Sequence, residues 1–403
     1  MSLPTSTHWR GVVIAFLAGV AAATALTKAS PAALALQSAL QLSLAQVGWV
    51  MAVGTLATCV LGVASGQLGY WRGARALLRD GLLVLLFAGL FSALAPNTFW
   101  LLCGRGFEGL GVVLISVAAP TLIAGLAQRR DMGLAMGIWA LWMPVGGLCM
   151  LVFAPVLLDA FGWRGLWSVS AVAALPVLGL LMLLPREIGV PAGDKVDLSV
   201  LRRPGPWWLA LAFFCFSSQF FSVFTFLPMH LARAFGLTPH AATLISALVP
   251  LAIIPGNLIG GVLVRRGWRP ASLLIVPALC LLVVLPALLV WAPTPGWAYG
   301  LLAVYGFLLG MIPTGIFAQA PLLAATPPET APILGLALTG QGFGILLGPP
   351  SVGAWLERSG GWNGPIILFV AALLGLIACG VLLRQRSEQR TPVTDKVSAD
   401  EYG

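Results

Sequence analysis

The chain has 403 residues, of which 59% are hydrophobic and only 9% charged, and its mean hydropathy is +0.97. A soluble domain carries about 25% charge, so this composition excludes a soluble globular fold and points to a chain embedded in lipid. The net charge of +9 raises nucleic acid as a partner, but in a membrane chain it reflects cytoplasmic loops rich in Lys and Arg.

A membrane-crossing helix needs about 20 predominantly apolar residues. About twelve such runs are legible, centred near residues 22, 56, 88, 112, 146, 174, 217, 250, 281, 308, 341 and 373. They are too long and too uniformly apolar for barrel strands, which alternate, so an all-α membrane protein is expected. With the N-terminus inside, the cytoplasmic segments receive Arg10, Arg72, Arg75, Arg79, Arg129, Arg130, Arg186, Lys195, Arg202, Arg203, Arg265, Arg266, Arg269, Arg384, Arg386, Arg390 and Lys396. The other side receives only Lys28, Arg164, Arg233 and Arg358. Both termini are therefore expected in the cytoplasm, and the charge is explained without nucleic acid. Arg10 before an apolar stretch resembles a secretory signal, but removing that span would leave an odd number, so it is expected to be retained.

In span one, Lys28 lies near the outer end (ATALTKASPAAL) and is a buried-looking cation. It can face an aqueous chamber or snorkel to the outer interface. Between spans two and three, GVASGQLGYWRGAR places Gly62, Gly66, Gly73 and Arg75 in a pattern that returns between spans eight and nine as Gly256, Gly260, Gly267 and Arg269. Glycines four apart share a helix face and allow close helix approach in lipid. Gly73 permits a tight turn, and Arg75 suits phosphate headgroups or the carbonyls at a helix end; the two loops serve either packing and topology or a conformational gate.

Span four, LLCGRGFEGLGVVLISVAAP, carries Arg105 and Glu108 within an apolar run. A charge at membrane depth costs several kcal/mol unless it is paired or hydrated. Spaced i and i+3, these two share a helix face. At 1.5 Å per residue, Arg105 lies about 10 Å below the outer end of the span. Glu108 is the one acid well inside a span. The formal GxGxxG of Gly104, Gly106 and Gly109 follows no strand and is not a dinucleotide site.

Span five contains Gly137, Trp139, Trp142, Pro144, Gly146 and Gly147, a composition that allows helix bending. The polar stretch 185–206 then divides the chain into two bundles of about six spans each, 1–184 and 207–384. Spans seven, ten and eleven offer Gln219, Gln319 and Gln341; amides of this kind orient a solute or join helices. Residues 385–403 form a polar tail expected to be disordered and cytoplasmic. The six cysteines are scattered in apolar runs and read as small buried hydrophobes. No disulfide, metal site or cofactor is expected. A second correspondence supports duplication: Gly137 and Gly146 are spaced as Gly335 and Gly344 are, and each pair leads to a Gly-Trp, Gly162–Trp163 and Gly361–Trp362. Many transporters are built from such repeats.

These features together resemble the major facilitator superfamily over roughly residues 10–385. The loop signature of that family corresponds to Gly66, Tyr70, Trp71, Gly73 and Arg75, with Tyr70 and Trp71 where the family carries an acid and a base. The second copy, Gly260, Val264, Arg265, Gly267 and Arg269, also lacks the acid. Arg105, Glu108, Gly109 and Gly111 fit a fourth-span motif whose arginine is linked to proton coupling, with Glu in place of Gln. Span five partly fits the antiporter motif of the family, with Met143 before Pro144 and a shorter spacing to the glycine pair.

The resemblance implies a secondary transporter that alternates access between two bundles. It implies that spans one and four line a central chamber and that the protein is a monomer; the compact loops point to a bacterial inner membrane. Arg105 and Glu108 are then the expected coupling pair. Lys28, Arg105, Trp142, Gln219, Gln319 and Gln341 are the expected contacts for a small-molecule substrate. The two cations favour an organic anion moved with protons, and the span-four and span-five motifs favour efflux of a drug or metabolite against protons. A channel would want a polar stripe and gives no reason for the repeat. An enzyme would want His, Asp or Cys clustered at one face, whereas His8, His230 and His240 are dispersed.

Overall fold

The structure, a computed structural model, describes residues 7–61, 73–128, 131–184, 199–291, 294–324 and 329–390. Every regular element among them is helical. Eleven helices or helix runs are long and apolar enough to cross a membrane, and one of these, Ala135–Met182, has 48 residues. At 1.5 Å per residue that run would extend about 72 Å, more than twice the ~30 Å apolar core of a bilayer. It is two crossings joined at Gly162, whose φ of 63° and ψ of −173° interrupt the helix.

Spans one to four are Trp9–Thr27, Leu44–Leu61, Ala74–Ala93 and Thr98–Leu126. Span five comprises Met132–Ala140 and residues 142–161, and span six residues 163–172 and Ala174–Met182. In the second half, spans seven to nine are Pro204–Phe235, Pro239–Arg265 and Ser272–Trp291. Spans ten to twelve are Pro295–Leu323, Thr330–Ser359 and Ile366–Arg390. Short helix Ala33–Leu40 links spans one and two. "Outer" below is the side that the basic residues predict to be extracytoplasmic.

Local chemistry sets the ends. Asn97 caps span four by accepting the Trp100 N–H at 3.3 Å, and Ser43 with Gln46 forms a capping box at span two. Gly236 and Gly360 close spans seven and eleven in the left-handed conformation. Two expected boundaries shift. Span seven begins at Pro204, inside the expected 185–206 loop, because proline is accepted at the first helical position. Span twelve continues through residues 385–390, expected to belong to the tail. Residues 185–198 and 391–403 lie outside the described residues. The cysteines are not uniformly buried: Cys59, Cys215 and Cys379 are, whereas Cys280 is exposed.

Small residues let the helices touch. Gly340, Gly344 and Gly348 of span eleven lie against the span-seven backbone at Ala210, Phe214 and Ser218. Gly256 and Gly310 bring spans eight and ten together in the same way, and Gly260 meets Thr314. Hydrogen bonds between the halves run from the outer ends to mid-membrane. Glu357 accepts from the Leu44 N–H at 2.5 Å, Ser30 donates to the Phe224 carbonyl at 2.5 Å, and Thr55 donates to the Gly342 carbonyl at 3.3 Å. His240 lies 3.4 Å from Asp159.

Candidate functional site

The most concentrated polar chemistry lies inside the first half. Span one ends at Thr27, and Lys28 follows immediately. Its Nζ donates to Glu108 Oε1 at 3.1 Å, while Arg105 Nη1 donates to Glu108 Oε2 at 2.5 Å. One carboxylate thus holds two cations, one from its own helix and one from span one. Lys28, Arg105 and Glu108 are 0%, 1% and 1% exposed.

Arg105 has further work. Its Nη1 and Nη2 donate to the carbonyls of Ala25 and Leu26 at 2.6 and 3.1 Å, and its Nε to the Val50 carbonyl at 2.8 Å. Ala25 and Leu26 form the last turn of span one, where carbonyls have no helical partner and a cation is favoured. Arg105 therefore ties spans one, two and four together. Among the described residues Lys28 has one hydrogen-bond partner, Glu108, and its Nζ lies 5.0 Å from the centre of the Trp167 ring, within cation–π range.

Backbone without side chains makes the cluster possible. Span two passes through a 3₁₀ turn at Val53–Thr55. There Gly54 presses against span four so closely that a Cβ on Gly109 would run into the Gly54 carbonyl. A Cβ on Gly54 would stand 3.1 Å from Arg105 Nη2. Behind the carboxylate, Gly89 of span three abuts Ala171 of span six, 3.8 Å from Glu108 Oε1 measured from the position of a Cβ.

The second half carries a neutral counterpart. Gln219 Nε2 donates to the Tyr305 hydroxyl at 2.5 Å, tying span seven to span ten as Lys28–Glu108 ties one to four. Tyr305 and Gly306 follow Glu108 and Gly109 by the same offset, since 305 − 108 and 306 − 109 are both 197. Overlaying the repeats would have found Tyr305, which sequence reasoning missed. It missed Trp167 as well, because one tryptophan among 15 carries no mark of a cation above it.

The other expected residues are not gathered at this cluster. Gln319 is fully buried, and neither amide atom is hydrogen-bonded among the described residues. It stands 14 residues beyond Tyr305 on the same span, about 21 Å along the axis. Gln341 is partly buried beside Gly340, which abuts Ala210. Trp142 stacks on Trp139 at 5.3 Å and 12°, and the pair covers Gly19 of span one. The Lys28 side chain is enclosed and paired with Glu108, so in this structure it reaches neither the outer interface nor an aqueous chamber.

In span five the helix breaks at Leu141, between Ala140 and Trp142. Pro144 lies three residues further and has no N–H for the Ala140 carbonyl. Gly146 packs on Val20 and Ala23 of span one, so its missing side chain serves contact. Gly147 faces Thr27, Phe224 and Pro250, each 3.9 Å from a Cβ position, and Gly137 faces open space.

In the first of the two repeated loops, Gly62, Gly66, Tyr70 and Trp71 lie outside the described residues. Gly73 and Gly267 have φ of 77° and 91°, which explains glycine at both. Arg75 donates to the carbonyls of Leu181 and Met182 at 3.0 and 3.4 Å, at the end of span six. The Arg269 carbonyl accepts from the Ser272 N–H, opening span nine. Gly267→Ala is expected to cost about 1–3 kcal/mol, because alanine is strained at this φ. A fall in thermal midpoint of the detergent-solubilised protein would register it, whereas Gly261→Ala, with ordinary φ and open surroundings, should change little.

Two six-span bundles related by an internal repeat, with a charged cluster where spans one, two and four meet, define a multi-span solute transporter rather than an enzyme. The model of the Major Facilitator Superfamily matches residues 15–331, and the chain belongs to that family. It is 25% identical to an uncharacterized transporter, YycB, of Bacillus subtilis (strain 168), over 88% of this chain and 89% of that protein. It is 26% identical to the 3-(3-hydroxy-phenyl)propionate transporter of Escherichia coli (strain K12), over 95% of each. Among solved structures, a bacterial homolog of the human lysosomal transporter Spinster, inward-facing and unoccupied, aligns with a TM-score of 0.72. That match has 17% identity and covers 95% of this chain and 96% of the other, which speaks to fold alone.

Proposed function

We propose that the chain moves a small organic anion across a bacterial inner membrane by alternating access, coupled to protons, with both termini in the cytoplasm. The observation that carries this reading is one buried carboxylate shared by two buried cations. Such a group of three carries one net positive charge in a place where unpaired charge costs several kcal/mol. A solute carboxylate relieves it. Glu108, the carboxylate between the two cations, is the proposed coupling group, left with a free oxygen when Lys28 turns to the solute. Arg105, held by three backbone carbonyls besides Glu108, stays in place. That the E. coli relative is named for a hydroxyphenyl-propionate suggests an aromatic carboxylate as the first solute to try. The second reading, efflux of a drug or metabolite against protons, is favoured by the break at Leu141 and the span-five glycines.

The test uses sealed proteoliposomes with a pH dye inside and an inward proton gradient. The intact protein is expected to take up 3-(3-hydroxyphenyl)propionate together with protons. Glu108→Gln should abolish the proton signal. Lys28→Gln should raise KM about tenfold or more, the scale of one lost charge-assisted hydrogen bond. Uptake whose proton signal is absent, or is the same in Glu108→Gln, would sink the coupling role. Exchange of protons for a cationic drug, with no anion uptake, would favour efflux.

A further inference from the structure

We propose that Glu357 is an outer latch of the transport cycle, a positioning residue that holds the two halves together by capping the first turn of span two from the opposite bundle. The proposal does not depend on which solute is carried.

The first turn of a helix has N–H groups with no helical partner. At span two, the capping box satisfies two donors locally: Ser43 Oγ accepts from the Gln46 N–H, and Gln46 Oε1 accepts from the Ser43 N–H. The Leu44 N–H, at the first helical position, is left over. Its acceptor is Glu357 Oε1 at 2.5 Å, from span eleven, 313 residues away. A carboxylate at the positive end of a helix is favoured by the aligned peptide dipoles, and a hydrogen bond to an ion exceeds a neutral one.

The surroundings make this contact specific to one state. Gly353 lies one turn before Glu357 and abuts the Leu44 backbone, and Gly48 lies one turn after Leu44 against Pro349 and Pro350. Backbone therefore meets backbone along the outer end of spans two and eleven, and the carboxylate stands at its rim. Glu357 itself is exposed, so water can replace its partner once the spans part. The bond exists only while the outer seam is closed, and it biases the equilibrium between the two faces without touching the solute.

Hydrogen exchange by mass spectrometry on the full chain in lipid nanodiscs tests this. Glu357→Ala should speed exchange at residues 44–50 by about ten- to hundredfold, the range of one hydrogen bond to an ion. It should also slow exchange at 132–140 and 316–323 on the cytoplasmic side, because opening outside closes inside. Glu357→Gln, which keeps an acceptor but loses the charge, should do the same to a smaller extent. Leu44→Pro removes the donor where proline is tolerated and should give the same two-sided shift, with Glu357→Ala adding little on top of it. Faster exchange confined to residues 44–50 would reduce Glu357 to a local cap and overturn the latch. So would unchanged exchange, or full additivity of the two substitutions.

Discussion

Glu108→Ala is expected to be the most damaging single substitution in the first half, at about 3–5 kcal/mol, the cost of removing one partner of a buried ion pair. The reason is what it leaves behind. Lys28 would keep only the face of Trp167, and two cations would stand in a site 0–1% exposed with no counter-charge. Arg105 would retain the carbonyls of Ala25, Leu26 and Val50, so Lys28 is the group that becomes intolerable. The cost should therefore fall when Lys28 goes too. Lys28→Met added to Glu108→Ala removes one charge of each sign and should recover at least half of the lost stability. Thermal unfolding of the purified variants in one detergent reads this directly. If the double variant is as unstable as the two singles summed, the pair is not coupled and this account of the cluster is wrong.

Gly48→Leu should stop transport without unfolding the protein. A Cβ there would lie 2.6 Å from the Pro349 carbonyl oxygen and 2.7 Å from Pro350 Cα. Both obstacles are backbone in a helix, so no side-chain rotation relieves the overlap. The outer seam must open, and a carrier that cannot close outside cannot complete its cycle. A reduction of uptake by at least about 100-fold is expected, corresponding to ~2.7 kcal/mol against the closed seam. Span two should gain exchange at its outer end as in the Glu357 variants. Gly300→Leu, at an exposed helical glycine with open surroundings, should transport at the normal rate. Normal uptake by Gly48→Leu would mean that this contact is not part of the cycle.

Much of the chain was legible before folding. Lipid supplies no hydrogen bonds, so each span must satisfy its backbone within itself, and its length and apolarity show in the local sequence. That is why about twelve spans, the two halves and the glycine loops could be read in order. The Arg105–Glu108 pair was legible for the same reason: three residues on one helix fix their relation. Lys28 as the second cation on Glu108 was not, because the two are 80 residues apart. The other partners of Arg105 are carbonyls, which every residue has. The role of a glycine is similarly hidden. The chain has 47, and whether one serves a turn, as Gly267 does, or a contact, as Gly109 does, depends on what stands opposite.

The sequence by itself determined that this is a helical membrane protein with a duplicated architecture and charge buried in its fourth span. Each of those properties is written in residues near one another, where helix periodicity and bilayer thickness act. Only the tertiary structure decided that one carboxylate serves two cations, that Arg105 also closes the end of span one, and that spans two and eleven meet backbone to backbone. These depend on packing between helices far apart in the chain, where contact is set by shape and by the missing side chains of glycine.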